Sequence, residues 1–284
     1  MTTLQTVPTS FVSVNGLKIA YRRFGARSPL PLVYVNHLRG SMDTLDPLLF
    51  NSIAKSREVI VYDSAGIGHS EGAVPDSIPE MAAVLVNLLA ALEIPKADFI
   101  GFSMGGGIVQ QLGFGYPQLV NKLILAGTQP GIGEGVALPP REVLESAGAN
   151  NDQPPTEDDM MNLFFHPSET SLTLGHAWWK RIHERKVEGE SRKAYLTGPG
   201  AQSQLAAIFK FTSDTRNFDR LADIKAPVLV TNGHTDVMSP TSNSFVLQQK
   251  IANAHLHLYP DAGHGHLFQE PELYAKELEL FLNN

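Results

Sequence analysis

Gly101-Phe102-Ser103-Met104-Gly105 constrain this chain more than any other feature. They fit G-x-S-x-G, a tight turn that carries a serine from a strand into a helix. Lys96-Ala97-Asp98-Phe99-Ile100 before it can form a short strand, and Gly106 to Leu112 after it can start a helix. A serine on such a turn has a strained backbone, and its hydroxyl projects above the sheet. A side chain at Gly101 or Gly105 would collide where the chain folds back. Glycine–serine loops arise by chance, so the flanking strand and helix give the pattern its weight.

The rest of the chain must therefore supply a sheet with buried strands, and it does. Ser10–Val14 and Leu17–Tyr21 alternate around Asn15-Gly16, a hairpin signature. Leu32–Asn36, Val59–Asp63 and Lys122–Ala126 are almost wholly apolar, the pattern of strands covered on both faces. A helix is predicted from Pro79 to Leu92, with Ser77 as N-cap, and another from Gly106 to Gly113. Strand and helix alternate, which is an α/β signature. From Pro130 to Lys225 the rhythm stops. Helices are predicted over Arg141–Ala147, Glu157–Phe164, Leu172–Glu188 and Ser203–Phe211, punctuated by prolines. Such a length is too great for a connection, so residues 130–225 are read as a helical cap inserted between core segments 1–129 and 226–284. Strands resume at Ala226–Thr231 and Ala254–Tyr259, and a helix from Pro271 to Leu280 closes the chain.

Composition narrows the chemistry. The 284 residues are 43% hydrophobic, as in a soluble globular enzyme. A formal charge of −7 argues against nucleic acid as a partner. With no cysteine, disulfides, thiolate nucleophiles and sulfur-ligated metals are excluded. Met1–Ser10 has neither a basic nor an apolar signal region, and the longest apolar run, Met81–Ala91, is broken by Asn87. A cytoplasmic protein with a small-molecule substrate and no membrane partner is expected; a homodimer is compatible with this reading. Gly105-Gly106-Gly107 lacks the lysine and hydroxyl residue of a phosphate loop, so no cofactor is expected. Asp43 and Asp46 read as solvated loop acids, and His255 and His257 as sheet-face residues. No metal site is expected.

A serine hydroxyl needs a base, and the base needs an orienting acid. His264, in Ala262-Gly263-His264-Gly265-His266, is the leading base, with His266 as its neighbouring alternative. Asp236, after the strand ending at Thr231, is the leading acid. All three candidates follow strands, at the carboxyl edge where open α/β sheets bind ligands. An oxyanion would be met by the backbone N–H of Met104 and by one from the loop after Leu32–Asn36, for which Leu38 is chosen. His37 either lines the pocket or satisfies a loop carbonyl. Arg39 offers a fork for one substrate carboxylate. Of Trp178 and Trp179, one is expected in the cap core and the other against substrate.

Together these segments resemble the α/β-hydrolase superfamily, in its serine-nucleophile members with a helical cap, over nearly the whole chain. Tyr62-Asp63-Ser64-Ala65-Gly66-Ile67-Gly68-His69-Ser70 is similar to the family's D-x-R-G-x-G-x-S segment, with alanine for arginine. Gly233–Pro240 matches G-x-x-D-x-x-x-P and assigns the acid to Asp236. Ala262-Gly263-His264 followed by Glu270-Pro271 selects His264 over His266. Asn36-His37 stands where His-Gly is usual, which predicts a changed backbone path. The resemblance implies a mostly parallel eight-stranded sheet flanked by helices. It also implies a hydrolase of a small or medium, largely apolar ester or lactone, working through an acyl-enzyme. A carbon–carbon bond hydrolase or a perhydrolase is the alternative within the fold, and a ligand receptor or scaffold the non-enzymatic one.

Overall fold

The apolar runs form the centre of an eight-stranded sheet in the order β1-β2-β4-β3-β5-β6-β7-β8. The computed structural model describes residues 2–143 and 152–284. Strands β1 (Ser10–Val14) and β2 (Leu17–Gly25) make the predicted hairpin. Its turn residues Asn15 and Gly16 have φ of 51° and 84°, the left-handed pair that matches strand twist. β2 pairs antiparallel with β4 (Glu58–Tyr62). The remaining pairings, among β3 (Leu32–Val35), β4, β5 (Ala97–Phe102), β6 (Val120–Ala126), β7 (Val228–Gly233) and β8 (Ala254–Tyr259), are parallel. All carboxyl ends of the parallel strands therefore share one edge.

Alternate residues of each central strand enter opposite cores. Leu32, Tyr34, Ile100 and Phe102 face one layer, and Val33, Val35, Phe99 and Leu125 the other. The first layer is completed by α1 (Pro47–Ile53) and a long C-terminal helix. The second is completed by α2 (Ile78–Ala91), whose Met81, Leu85 and Leu88 recur at helical spacing, and by α3 (Met104–Gly115). Ser77 caps α2 as predicted, accepting from Glu80 N at 3.4 Å.

The long middle segment carries α4 (Glu157–Phe164), α5 (Glu169–Arg181), α6 (Gly198–Ser213) and the short α7 (Thr215–Asp219). The first coincides with its prediction, and Thr156 and Asp159 form a capping box at its start. α5 starts three residues earlier than predicted because Ser168 caps it, accepting from Ser171 N at 3.0 Å. It stops at Arg181 rather than Glu188. α6 begins at Gly198-Pro199, proline fitting the first helical turn. The helix predicted over Arg141–Ala147 lies mostly outside the described residues. The chain ends with α8 (Ser242–Lys250), α9 (His266–Gln269) and α10 (Pro271–Asn283).

These inserted helices form a cap that is tied to the core. Asp43 and Asp46 are a correction: they are buried rather than solvated, because partners in the cap and core satisfy them, and Arg181 of α5 donates to both oxygens of Asp46 at 3.0 and 2.7 Å. The Lys193 N–H donates to Asp43 at 2.7 Å, and Asp43 also holds Arg22 and His69. No helix among the described residues is long and apolar enough to cross a membrane.

Candidate active site

The turn after β5 has the strain that the motif predicts. Ser103 sits at φ 57°, ψ −119°, a region that L-residues avoid. Its N–H donates to Ala126 O at 2.9 Å, and its carbonyl accepts from Gly106 N and from the Thr128 hydroxyl, at 2.9 and 2.8 Å. A Cβ on Gly101 would strike the backbone of Gly105, and one on Gly105 the carbonyl of Val35. One on Gly106 would strike Thr128. α3 thus begins at Met104, two residues before the predicted start, and the Met104 N–H is the first of its unpaired helix donors.

β7 and β8 deliver the other two candidates side by side. His264 Nδ1 lies 2.7 Å from Asp236 Oδ2, and both residues are buried. Asp236 Oδ1 accepts from Met238 N and Ser239 N, each at 2.8 Å. The contact pairs Nδ1 with the carboxylate and leaves Nε2 as the ring nitrogen not engaged by Asp236. Thr235 N donates to Ala262 O at 3.0 Å, which straps the two loops together. His266 is occupied elsewhere: Nδ1 donates to His264 O at 3.1 Å, and Nε2 accepts from the Thr231 hydroxyl at 3.0 Å. Burial pushes its imidazole down to about 3, against the hydrogen bond to the His264 carbonyl, which favours the charged ring. His234 makes a backbone link to Tyr259 O at 2.9 Å.

The loop after β3 takes a path of its own. The left-handed residue is Arg39, at φ 66°, and His37 needs no such conformation. Asn36 braces the loop: its Oδ1 accepts from His37 N at 2.9 Å and its Nδ2 donates to Ser41 O at 3.0 Å. The Leu38 N–H makes no hydrogen bond among the described residues. His37 is 3% exposed, and neither ring nitrogen has a partner among the described residues. Phe102 and Phe164 pack against it with centroids 5.4 Å away. Burial, and then His264, lower its imidazole to about 3, so it is neutral at pH 7.

Ser103 lies between two apolar cavities. One, of about 110 Å³, is walled by Leu38, Met104, Leu205, Ile208, Phe211 and Met238. The other, of about 50 Å³, is walled by His37, Arg39, Met160, Phe164, Tyr195 and His264. Structure thus gathers Ser103, His264, Leu38, Met104, His37 and Arg39 at one place, with Asp236 directly behind His264. Of the two tryptophans one packs in the core as expected, and the other is a correction, because neither lines these cavities. Trp178 is fully buried between Phe164, Phe165 and Phe268, and Trp179 packs on it and on His183. Arg39 also differs from its reading as a free fork. Its Nε donates to Leu196 O at 2.7 Å, and its Nη2 to Gln153 O. Sequence reasoning missed Gln204, buried on α6, whose Oε1 accepts from Arg39 N at 2.7 Å. A glutamine at an otherwise apolar helix position, near Ala201 and Ala207, was the available signal. Among the described residues no group of three or more His, Cys, Asp or Glu could hold a metal ion.

Comparison with known proteins agrees with this geometry. The alpha/beta hydrolase fold family matches residues 32–271. A 2-hydroxymuconate semialdehyde hydrolase of Pseudomonas putida is 29% identical over 238 residues, covering 81% of this chain and 78% of that protein. A poly(3-hydroxyalkanoate) depolymerase of Ectopseudomonas oleovorans is 28% identical over 241 residues, covering 84% and 78%. The solved structure of an alpha/beta hydrolase fold protein from Chitinophaga pinensis is 34% identical, covers 99% of both chains and superposes with a TM-score of 0.88.

Proposed function

Because the chain belongs to the alpha/beta hydrolase fold family, we propose that it is a serine-dependent hydrolase of small carbonyl compounds. The observation that carries this is the buried His264–Asp236 pair at 2.7 Å beside a strained Ser103. Ser103 Oγ adds to the substrate carbonyl while His264 Nε2 takes its proton. The oxyanion is met by the N–H groups of Leu38 and Met104. As the tetrahedral adduct collapses, the proton on His264 passes to the leaving group. Water, deprotonated by the same imidazole, then adds to the acyl-Ser103, and the acid departs with the serine restored.

The relatives include ester and lactone hydrolases and carbon–carbon bond hydrolases. Carbon–carbon cleavage is the better supported of the two, by the semialdehyde hydrolase likeness over four-fifths of the chain. The leaving group is then an enolate carbon, which takes the proton that His264 holds. Ester or lactone cleavage is the second reading. It is favoured by the apolar walls of both cavities and by the commitment of the Arg39 guanidinium to main-chain carbonyls. Purified protein should be assayed on 1,3-diketones, aryl esters and lactones, with and without peroxide, beside Ser103→Ala. Turnover confined to diketones supports the first reading, and turnover confined to esters or lactones the second. Turnover that survives in Ser103→Ala overturns both. A protein that neither turns over nor reacts with a fluorophosphonate is a binding module on this fold.

A further inference from the structure

Arg39 stands next to Leu38 and makes four hydrogen bonds, all to the cap. Its N–H donates to Gln204 Oε1 and its Nε to Leu196 O, both at 2.7 Å. Its carbonyl accepts from Leu196 N at 2.8 Å, and its Nη2 donates to Gln153 O. The partners come from three separate stretches of the cap: the approach to α4, the approach to α6, and α6 itself. On the core side the loop is held through Asn36, a Gly40 N to His37 O bond of 3.2 Å, the packing of His37 on Phe102 and, just beyond it, a Met42 N to Asp63 Oδ1 bond of 2.7 Å, but among the described residues no core group hydrogen-bonds to Arg39 itself. Arg39 also holds a left-handed backbone that an arginine does not adopt without support. Without the cap contacts, no hydrogen bond from the core among the described residues holds Arg39 at that φ. The Leu38 N–H, one peptide away and otherwise unpaired, would turn with it.

We propose that Arg39 is a positioning residue that makes the oxyanion hole conditional on a docked cap: its four bonds to Gln153, Leu196 and Gln204 hold the Leu38 N–H toward Ser103. This rests on the reading above, that Ser103 is the nucleophile and Leu38 an oxyanion donor. Lifting the cap to admit substrate then disarms the site, and closing it restores the second donor. The guanidinium serves the loop rather than a substrate carboxylate.

Arg39→Ala removes the two side-chain bonds, Gln204→Leu removes the partner of the Arg39 N–H, and Arg39→Lys retains a cationic donor. Each is measured for kcat and KM on the best substrate of the panel. Each is also measured for inhibition by an alkyl boronic acid, which forms a tetrahedral adduct on serine, and by the product acid. Displacing an oxyanion donor should lower kcat roughly tenfold to a hundredfold. Boronate affinity should fall in parallel, KM and product inhibition should stay within about threefold of wild type, and lysine should restore part of kcat. Gln204→Leu should move the same quantities in the same direction. A merely structural Arg39 would instead lower the melting temperature and weaken product and boronate alike. Wild-type kcat and boronate affinity in Arg39→Ala and Gln204→Leu overturn the inference while leaving the triad reading intact. A preference for carboxylated substrates that Arg39→Ala abolishes, with kcat unchanged, overturns it in favour of a substrate-binding Arg39. If wild-type protein is not modified at Ser103 by a fluorophosphonate, the triad reading fails, and this inference with it.

Discussion

Replacing His37 with leucine should make the protein more resistant to acid. His37 is buried with neither ring nitrogen partnered among the described residues, and its imidazole is pushed down to about 3. In the unfolded chain it titrates near 6.5. A histidine whose folded value lies below its unfolded value contributes fully above pH 6.5. Its contribution is lost as pH falls, because only the unfolded chain takes up the proton. Between pH 7 and pH 5 that uptake costs about 2 kcal/mol of stability. His266, with a similar value and the same sign, adds its own loss. Asp63, raised by burial to about 6, acts in the opposite sense. Both are present in wild type and variant, so they cancel in the difference. At pH 7 His37→Leu also removes an unpaired polar group, worth roughly 1–3 kcal/mol, so the variant should be no less stable than wild type. Urea denaturation at half-unit steps from pH 8 to pH 5 gives the slope directly, and the variant's acid limb should be shallower by one proton. Parallel curves for the two proteins would refute the reasoning, because they would mean that His37 takes its proton in the folded state.

Five other substitutions have defined outcomes. Ser103→Ala should lose turnover and fluorophosphonate labelling while its melting temperature stays close to wild type. Asp236→Asn should keep the fold but lower kcat by about 10⁴, since the wrong imidazole tautomer is then held; steady-state kinetics with a matched melting curve check this. Gly105→Ala forces a methyl group onto the Val35 carbonyl and should fail to give soluble, labelled protein, whereas Gly189→Ala, with open space around it, should be tolerated apart from its φ strain. Arg181→Met leaves the fully buried Asp46 carboxylate without its bidentate partner and should cost roughly 3 kcal/mol in denaturant unfolding.

The core was legible because its information is local. Apolar runs such as Leu32–Val35 and Val59–Tyr62 are buried on both faces, and the Asn15-Gly16 turn dictates its own hairpin. The nucleophile, acid and base candidates could be located because each directly follows such a strand. What resisted reading depends on contacts distant in sequence. Pro47–Ile53 was overlooked as a helix, although Asp46 as cap and Pro47 at the first position announce it. The start of α3 at Met104, two residues before the predicted Gly106, follows from the elbow, where the chain passes so close to Val35 and Thr128 that only Gly105 and Gly106 fit. Chemistry alone left open which of Trp178 and Trp179 packs in the core, and it offered Arg39 to a substrate carboxylate. The deciding partners, Phe268 for Trp178 and Leu196 and Gln204 for Arg39, lie 90 to 165 residues away.

The Phe164 carbonyl accepts from Gly265 N at 2.7 Å, and a Cβ on Gly263 would come within 2.7 Å of that same oxygen. The end of α4 is therefore pressed against the peptide on either side of His264. For recombination between homologues, this seam is a breakpoint to avoid. A foreign cap spliced in for new specificity must bring a backbone carbonyl to that position, or the loop holding the imidazole is left unsupported. Leu205 and Ile208, which wall a cavity without making such a joint, are where a library of variants has room to diversify.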